Sequence, residues 1–122
     1  MDKSQAIDSF WNSFGLPAYD ENTVPDDAAI PRITYTVETD SLDNVISLNA
    51  SIWYRSKSWA DISKKAEEIG EYIAKMIPPS IPIDNGRLYI TKGSPFAQRM
   101  TDPDDSIRRI YLNIEAEFFT AF

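Results

Sequence analysis

The sequence predicts an α+β fold, a two-layer sandwich in which a mostly antiparallel sheet carries two helices on one face. The predicted order is α-β-β-α-β-β-β within a single domain, residues 1–122. Three observations lead there. Two segments repeat apolar residues with the helical period, and several others alternate apolar with polar residues. Short connections between the alternating segments favour antiparallel neighbours, and each element has one face to bury, which two layers satisfy.

The first helical segment places Ile7, Phe10, Trp11 and Phe14 on one stripe. Asp2 or Ser4 can cap its start, and Gly15 followed by Pro17 can stop it. Residues 15–31 read as a long loop punctuated by Pro17, Pro25 and Pro31. Its acids, Asp20, Glu21, Asp26 and Asp27, lack the alternating oxygens and the glycine of a calcium loop. RITYTVE then alternates Ile33, Tyr35 and Val37 with Thr34, Thr36 and Glu38, a half-buried strand. After a turn-like TDSLDN, a second strand points Ile46, Leu48, Ala50, Ile52 and Tyr54 one way. Ser47, Asn49, Ser51, Trp53 and Arg55 point the other way.

The second helix follows in SWADISKKAEEIGEYIAKMIPP. Ser58 reads as its N-cap with Asp61 three residues on, a variant capping box. Ile62, Ala66, Ile69, Ile73 and Met76 or Ile77 form the stripe, and Pro78-Pro79 end it. Asn85-Gly86 is a strong hairpin signal, because both central positions of a type I′ turn need positive φ. It joins a strand around Ile81 and Ile83 to one holding Leu88 and Ile90. In ITKGSPFAQRMTDPDD, Gly93 to Pro95 read as a turn, Phe96 to Met100 as a short helix and Thr101 to Asp105 as an acidic loop. The last strand turns Ile110, Leu112, Ile114, Ala116 and Phe118 inward. The opposite sheet face, with Ser47, Asn49, Ser51, Trp53, Tyr111, Asn113 and Glu115, is too polar for a second core.

Composition narrows the function. With 3 Trp, 6 Tyr, 6 Phe and 43% hydrophobic residues, the chain can build a core. No apolar run approaches the ~18 residues that span a bilayer, and MDKSQAIDSFW lacks the pattern of a signal peptide. A protein made in a cytoplasm is expected. The absence of cysteine and histidine removes disulfides, thiol nucleophiles, the usual zinc sites and Ser-His-Asp triads. The net charge is 12 − 19 = −7, with scattered basic residues, which disfavours a nucleic-acid grip. The same charge suits a surface that DNA slides past, since like charges repel.

No GxGxxG, GxxxxGK[ST] or GxSxG pattern occurs. Glu68 and Glu71 read as a solvated helix face, and Asp102, Asp104 and Asp105 lack the glycine of a dedicated metal loop. No catalytic residue, metal or cofactor is expected. The remaining candidate is a contact surface. Phe96 and Met100, four apart, would anchor a helical turn that either folds back on the domain or presents Gln98 and Arg99 to a neighbour, with Asp102, Asp104, Asp105 and Arg108 beside them. The second patch would be Asp20, Glu21, Asp26 and Asp27.

Several segments in a fixed order carry a resemblance over nearly the whole chain: FWNSFGLPAYDENTVP, PRITYTV, SIWYRSKSW, ITKGSPFAQRMTDPDD and RRIYLNIEAEF. Together they resemble the tail terminator (tail completion, head–tail joining) proteins of long-tailed phages and prophages. The resemblance implies an α+β subunit that closes into a ring, usually a hexamer, on the finished tail tube. Such a ring ends tube polymerisation and presents a surface to the head connector. The implied partners are further copies of the chain, the tail tube protein and the head connector protein; DNA only passes through the lumen, and no membrane is involved. The implied location is the virion tail at the head–tail junction, after assembly in the bacterial cytoplasm. Alternatives are a head-closure or adaptor ring, a binding module using the open sheet face, and a histidine-free hydrolase working with carboxylates.

Overall fold

The computed structural model describes residues 1–37 and 45–120. Glu38 and the turn-like segment 39–44 lie outside the described residues. The elements are α1 (Lys3–Trp11), continued by a 3₁₀ turn (Asn12–Phe14), β1 (Ala18–Asp20), β2 (Arg32–Tyr35), β3 (Val45–Ser47) and β4 (Ala50–Arg55). They continue with α2 (Ala60–Lys75), β5 (Ser80–Ile83), β6 (Gly86–Met100) and β7 (Ile107–Thr120). The strands form one mixed sheet in the order β1-β2-β4-β7-β6-β5, with β3 also paired to β7. Every pairing is antiparallel except β1 with β2. The α+β sandwich predicted from periodicity is the observed architecture.

Both helices lie on the same sheet face, and one apolar cluster joins the layers. From α1 come Ile7, Phe10 and Trp11; from α2, Ile62, Ile69 and Ile73; from the sheet, Ile33, Ile52, Leu88, Ile90, Leu112 and Ile114. Each such side chain, fully buried, contributes about 1.5–3 kcal/mol. Phe10 and Phe14 pack edge-on at 5.3 Å, and Tyr72 of α2 meets Phe14 edge-on at 5.2 Å. Polar contacts fix the helices further. The hydroxyl of Tyr35 donates to Asp8 Oδ1, which ties β2 to α1. Lys65 Nζ of α2 donates to the carbonyl of Phe14 at 3.0 Å, satisfying an otherwise open helix-end acceptor.

The helix ends show where local chemistry was legible. Asp2 caps α1 in a complete capping box with Gln5, with bonds of 2.8 and 3.0 Å. Gly15 ends the 3₁₀ turn at φ 81°, a conformation that costs glycine nothing. The expected cap of α2 is corrected. Trp59 occupies the N-cap position without a side-chain bond, and Ser58 Oγ accepts from the N–H of Ala60 at 3.1 Å. The serine stands one residue too early and bonds two residues ahead, a turn rather than a cap. Met76 is half-buried, whereas Ile77 is 95% exposed, so the stripe ends at Met76.

The predicted second strand is split by Leu48-Asn49 into β3 and β4, yet both keep one register on β7 (Ser47 opposite Glu115, Ala50 opposite Leu112). At the break Asn49 turns to β2, where its carbonyl accepts from the N–H of Thr36 at 2.9 Å. The hairpin between β5 and β6 is displaced by one residue from the expected Asn85-Gly86 turn. Ile83 pairs with Gly86, so Asp84 and Asn85 form the tip, and Asn85 alone takes the left-handed conformation at φ 61°. Within the expected loop 15–31, Ala18–Asp20 form a strand parallel to β2. Three residues are too few to show a period.

Candidate functional site

The stretch around Phe96 that was expected to carry a contact surface takes a conformation other than the expected helical turn. Residues 96–100 extend β6 as a strand; they form no helix. A five-residue helix after a proline has no means of covering its nucleation cost, whereas β7 offers a ladder immediately. Gln98 pairs with Tyr111 and Arg99 with Ile110. The two side chains therefore leave on opposite faces: Gln98 on the open face, Arg99 on the helix side.

Between Lys92, opposite Ile114, and Ala97, opposite Leu112, the register of β6 shifts. The residues from Gly93 to Phe96 face Asn113 alone, a large bulge containing Pro95, which cannot donate to a ladder. Gly93 is required by space. A Cβ there would lie 2.5 Å from Asn113 Nδ2 and 3.0 Å from the Asn113 carbonyl oxygen. The bulge turns Phe96 onto α2, where its ring lies against Gly70, 3.0 Å from the position a Cβ would take. Lys92 Nζ stands 5.6 Å from the centre of the same ring. Helix, bulge and strand thus enclose a groove of about 430 Å³. Ala66, Gly70, Phe96, Ala97 and Ile110 line it, with Glu67 and Glu71 on the helix rim and Lys92 and Arg99 on the strand rim. From Thr91 to Met100 no strand among the described residues pairs with the outer edge of β6.

Arg99 is not a free-standing charge. Its guanidinium lies 4.8 Å from the ring of Trp59, and Arg108 approaches the same ring at 5.4 Å. Arg108 also donates to the carbonyls of Lys57 at 2.7 Å and Asp105 at 2.9 Å, which fastens the β6–β7 turn to the start of α2. In that turn Asp102 Oδ1 accepts from the N–H of Asp104 at 2.9 Å, and Asp104 Oδ1 accepts from the N–H and hydroxyl of Ser106 at 2.9 and 2.7 Å. The bonds from Ser106 hold the Asp104 carboxyl below its ordinary pKa. Arg55 and Lys57 each stand 3.9 Å from an aspartate of the turn, exposed pairs of little energetic weight. The acidic tip is therefore used within its own chain to shape a turn.

The second predicted patch lies elsewhere. Asp20 and Glu21 sit where β1 ends, beside Tyr35, whose carbonyl accepts from the N–H of Glu21 at 2.9 Å. The N–H of Ala28 reaches the carbonyl of Pro25 at 3.0 Å, closing a turn with Asp26 and Asp27 exposed at its tip. Asp20 and Glu21 are at the β1 edge of the sheet. The turn with Asp26 and Asp27 lies in the connection from β1 to β2, tied to Arg32 of β2 through the carbonyl of Ala28. The groove is beside β6, with β4 and β7 between β2 and β6. One chain does not bring the two together.

A further arrangement escaped the sequence reading. On the open face Trp53 lies between two arginines, with Arg109 at 4.7 Å and Arg32 at 5.9 Å. Trp53 Nε1 donates to Thr34 Oγ1 at 2.9 Å, and Arg109 Nε donates to Ser51 Oγ at 3.0 Å. The signal was the parity of Trp53, the one large aromatic on the polar side of its strand. Its partners come from other strands, so the stack follows from register. Among the described residues no group of three Asp or Glu is placed to hold a metal ion, and no helix is long and apolar enough to cross a membrane.

No protein-family model matches the chain, and no curated protein matches its sequence. Among solved structures the fold is similar to a chain from the virion of a native gene transfer agent particle. The TM-score is 0.61 at 15% identity, over 93% of this chain and 92% of that one. What the likeness establishes is a shared fold.

Proposed function

We propose that this chain is a structural subunit of a phage-like virion. It assembles with copies of itself into a ring at the tail–head junction, where the ring caps the tail tube, ends its growth and receives the head connector. The observation that carries the reading is the near-complete fold match to a virion chain, 93% and 92% of the two lengths. Two further features support it. The sheet carries two dissimilar features, an acidic turn in the connection from β1 to β2 and a groove beside β6, and closed rings are built from such heterologous contacts. The charge of −7 favours a lumen through which DNA moves without adhering. In this reading the protein is not an enzyme and needs no cofactor.

The test is complementation of a phage lacking the gene. Electron micrographs should show tails of uneven length that do not join heads, and supplying the protein should restore uniform, joined tails. Uniform, head-joined tails without the gene would overturn the proposal. Uniform tails that fail to join would shift the role to a head-closure ring.

A further inference from the structure

Resting on the ring reading, we infer that the turn Pro25–Ala28 of one copy seats in the groove between α2 and β6 of the next, with Asp26 and Asp27 facing Lys92 and Arg99. Three observations on separate parts of the molecule converge. The first is charge. Lys92 and Arg99 are exposed on the strand rim, and neither joins an ion pair among the described residues. Asp26 and Asp27 are likewise exposed and join no ion pair among the described residues; the guanidinium at the turn, that of Arg32, donates to the carbonyl of Ala28 at 2.9 Å. The helix rim carries Glu67 and Glu71, the latter 3.8 Å from Lys75, so the incoming acids are directed to the strand side.

The second observation is shape. The groove holds about 430 Å³ and is open on the side where β6 has no neighbouring strand. A four-residue turn with a two-aspartate tip, ending in Ala28 and followed by Ala29, brings only small side chains beside its acids to such a space. The third is topology. Four strand spacings, roughly 19 Å at about 4.8 Å each, separate β1, where the loop carrying the turn begins, from β6 beside the groove in one chain. The turn therefore reaches the groove of a neighbour, and the contact is head-to-tail by construction. Repeated around an axis it closes a ring.

The chain has no cysteine, so disulfide trapping gives an unambiguous readout. A protein carrying both Asp26→Cys and Ala97→Cys, both exposed positions, is purified at high concentration and oxidised. A ladder of covalent oligomers should appear, while each single variant should give nothing beyond a dimer. Charge reversal supplies the second arm. Lys92→Glu with Arg99→Glu should abolish assembly, as should Asp26→Lys with Asp27→Lys, and the fourfold variant should regain it, all with wild-type circular dichroism. Oligomers by light scattering with no product beyond a dimer would overturn this contact and leave the ring reading standing. Failure of the fourfold variant to reassemble would overturn the charge pairing. A chain that stays monomeric at every concentration and gives no ladder would overturn the contact and the self-assembled ring together.

Discussion

Replacing Gly93 by alanine tests the bulge that shapes the groove. Gly93 has no left-handed backbone angle, so the substitution meets no intrinsic conformational penalty, and the cost is steric. The new methyl would lie 2.5 Å from Asn113 Nδ2, 2.6 Å from Asn113 Cγ and 3.0 Å from the Asn113 carbonyl oxygen. The amide side chain can swing away, but the carbonyl belongs to the central strand β7 and cannot. Overpacking of this kind costs about 1–3 kcal/mol. Alanine recovers about 0.4–1 kcal/mol by restricting the unfolded chain. The net expectation is a loss of about 1–2 kcal/mol, roughly 3–5 °C in melting temperature per kcal/mol for a domain of this size. The assay is urea unfolding followed by tryptophan fluorescence, in a cycle with Asn113→Ala. That second change removes two of the three close contacts, so the double variant should recover about 1 kcal/mol relative to additivity. Equal cost of Gly93→Ala in both backgrounds would refute the reading that the Asn113 side chain helps to enforce glycine here.

Phe96→Ala should lower stability by about 1–2 kcal/mol, less than a fully buried phenylalanine would cost, because the ring is half-buried against Gly70; calorimetry checks this, and no change in melting temperature would mean that the ring is not an anchor. Arg99→Glu should keep the fold, losing about 0.5–1 kcal/mol of stacking on Trp59, while weakening ring assembly by light scattering; normal assembly would remove the strand rim from the interface. Tyr35 is expected to shape the alkaline limit of stability. Burial, then the hydrogen bond to Asp8, raise its phenol pKa above the ordinary value. A raised folded-state pKa means that the contribution is fully present below about pH 10 and is lost as pH rises towards the folded value. Tyr35→Phe should therefore be less stable than wild type at neutral pH, and the gap should narrow above pH 10. A gap of constant size in urea unfolding at both pH values would contradict the assignment.

Much of the architecture was legible because burial is one-sided. Ile7, Phe10 and Trp11 at helical spacing, and Ile110, Leu112, Ile114 and Ala116 at strand spacing, fall on the buried face as read. Each residue needs only its own segment to declare its face. Turn positions were less secure. The Asn85-Gly86 signal found the right hairpin, but pairing of Ile83 with Gly86 placed the turn one residue earlier. The conformation of the stretch 96–100 was not legible. Phe96 and Met100 are four apart, a helical spacing, yet Phe96 faces α2 while Met100 pairs with Arg109 on the extended ladder.

What periodicity and composition settle, then, are the fold class, the two buried helix stripes and the inward face of each long strand, because those depend on the alternation of neighbours along the chain. Three features depend on partners distant in sequence: the bulge that sets Gly93 against Asn113, the stacking of Arg99 and Arg108 on Trp59, and the separation of the acidic turn from the groove across the sheet. Register between β6 and β7 absorbs the extra residues of the bulge, and no local pattern encodes where it does so. The loop that looked like a helical anchor becomes one wall of a groove for that reason: β7 was there to pair with it.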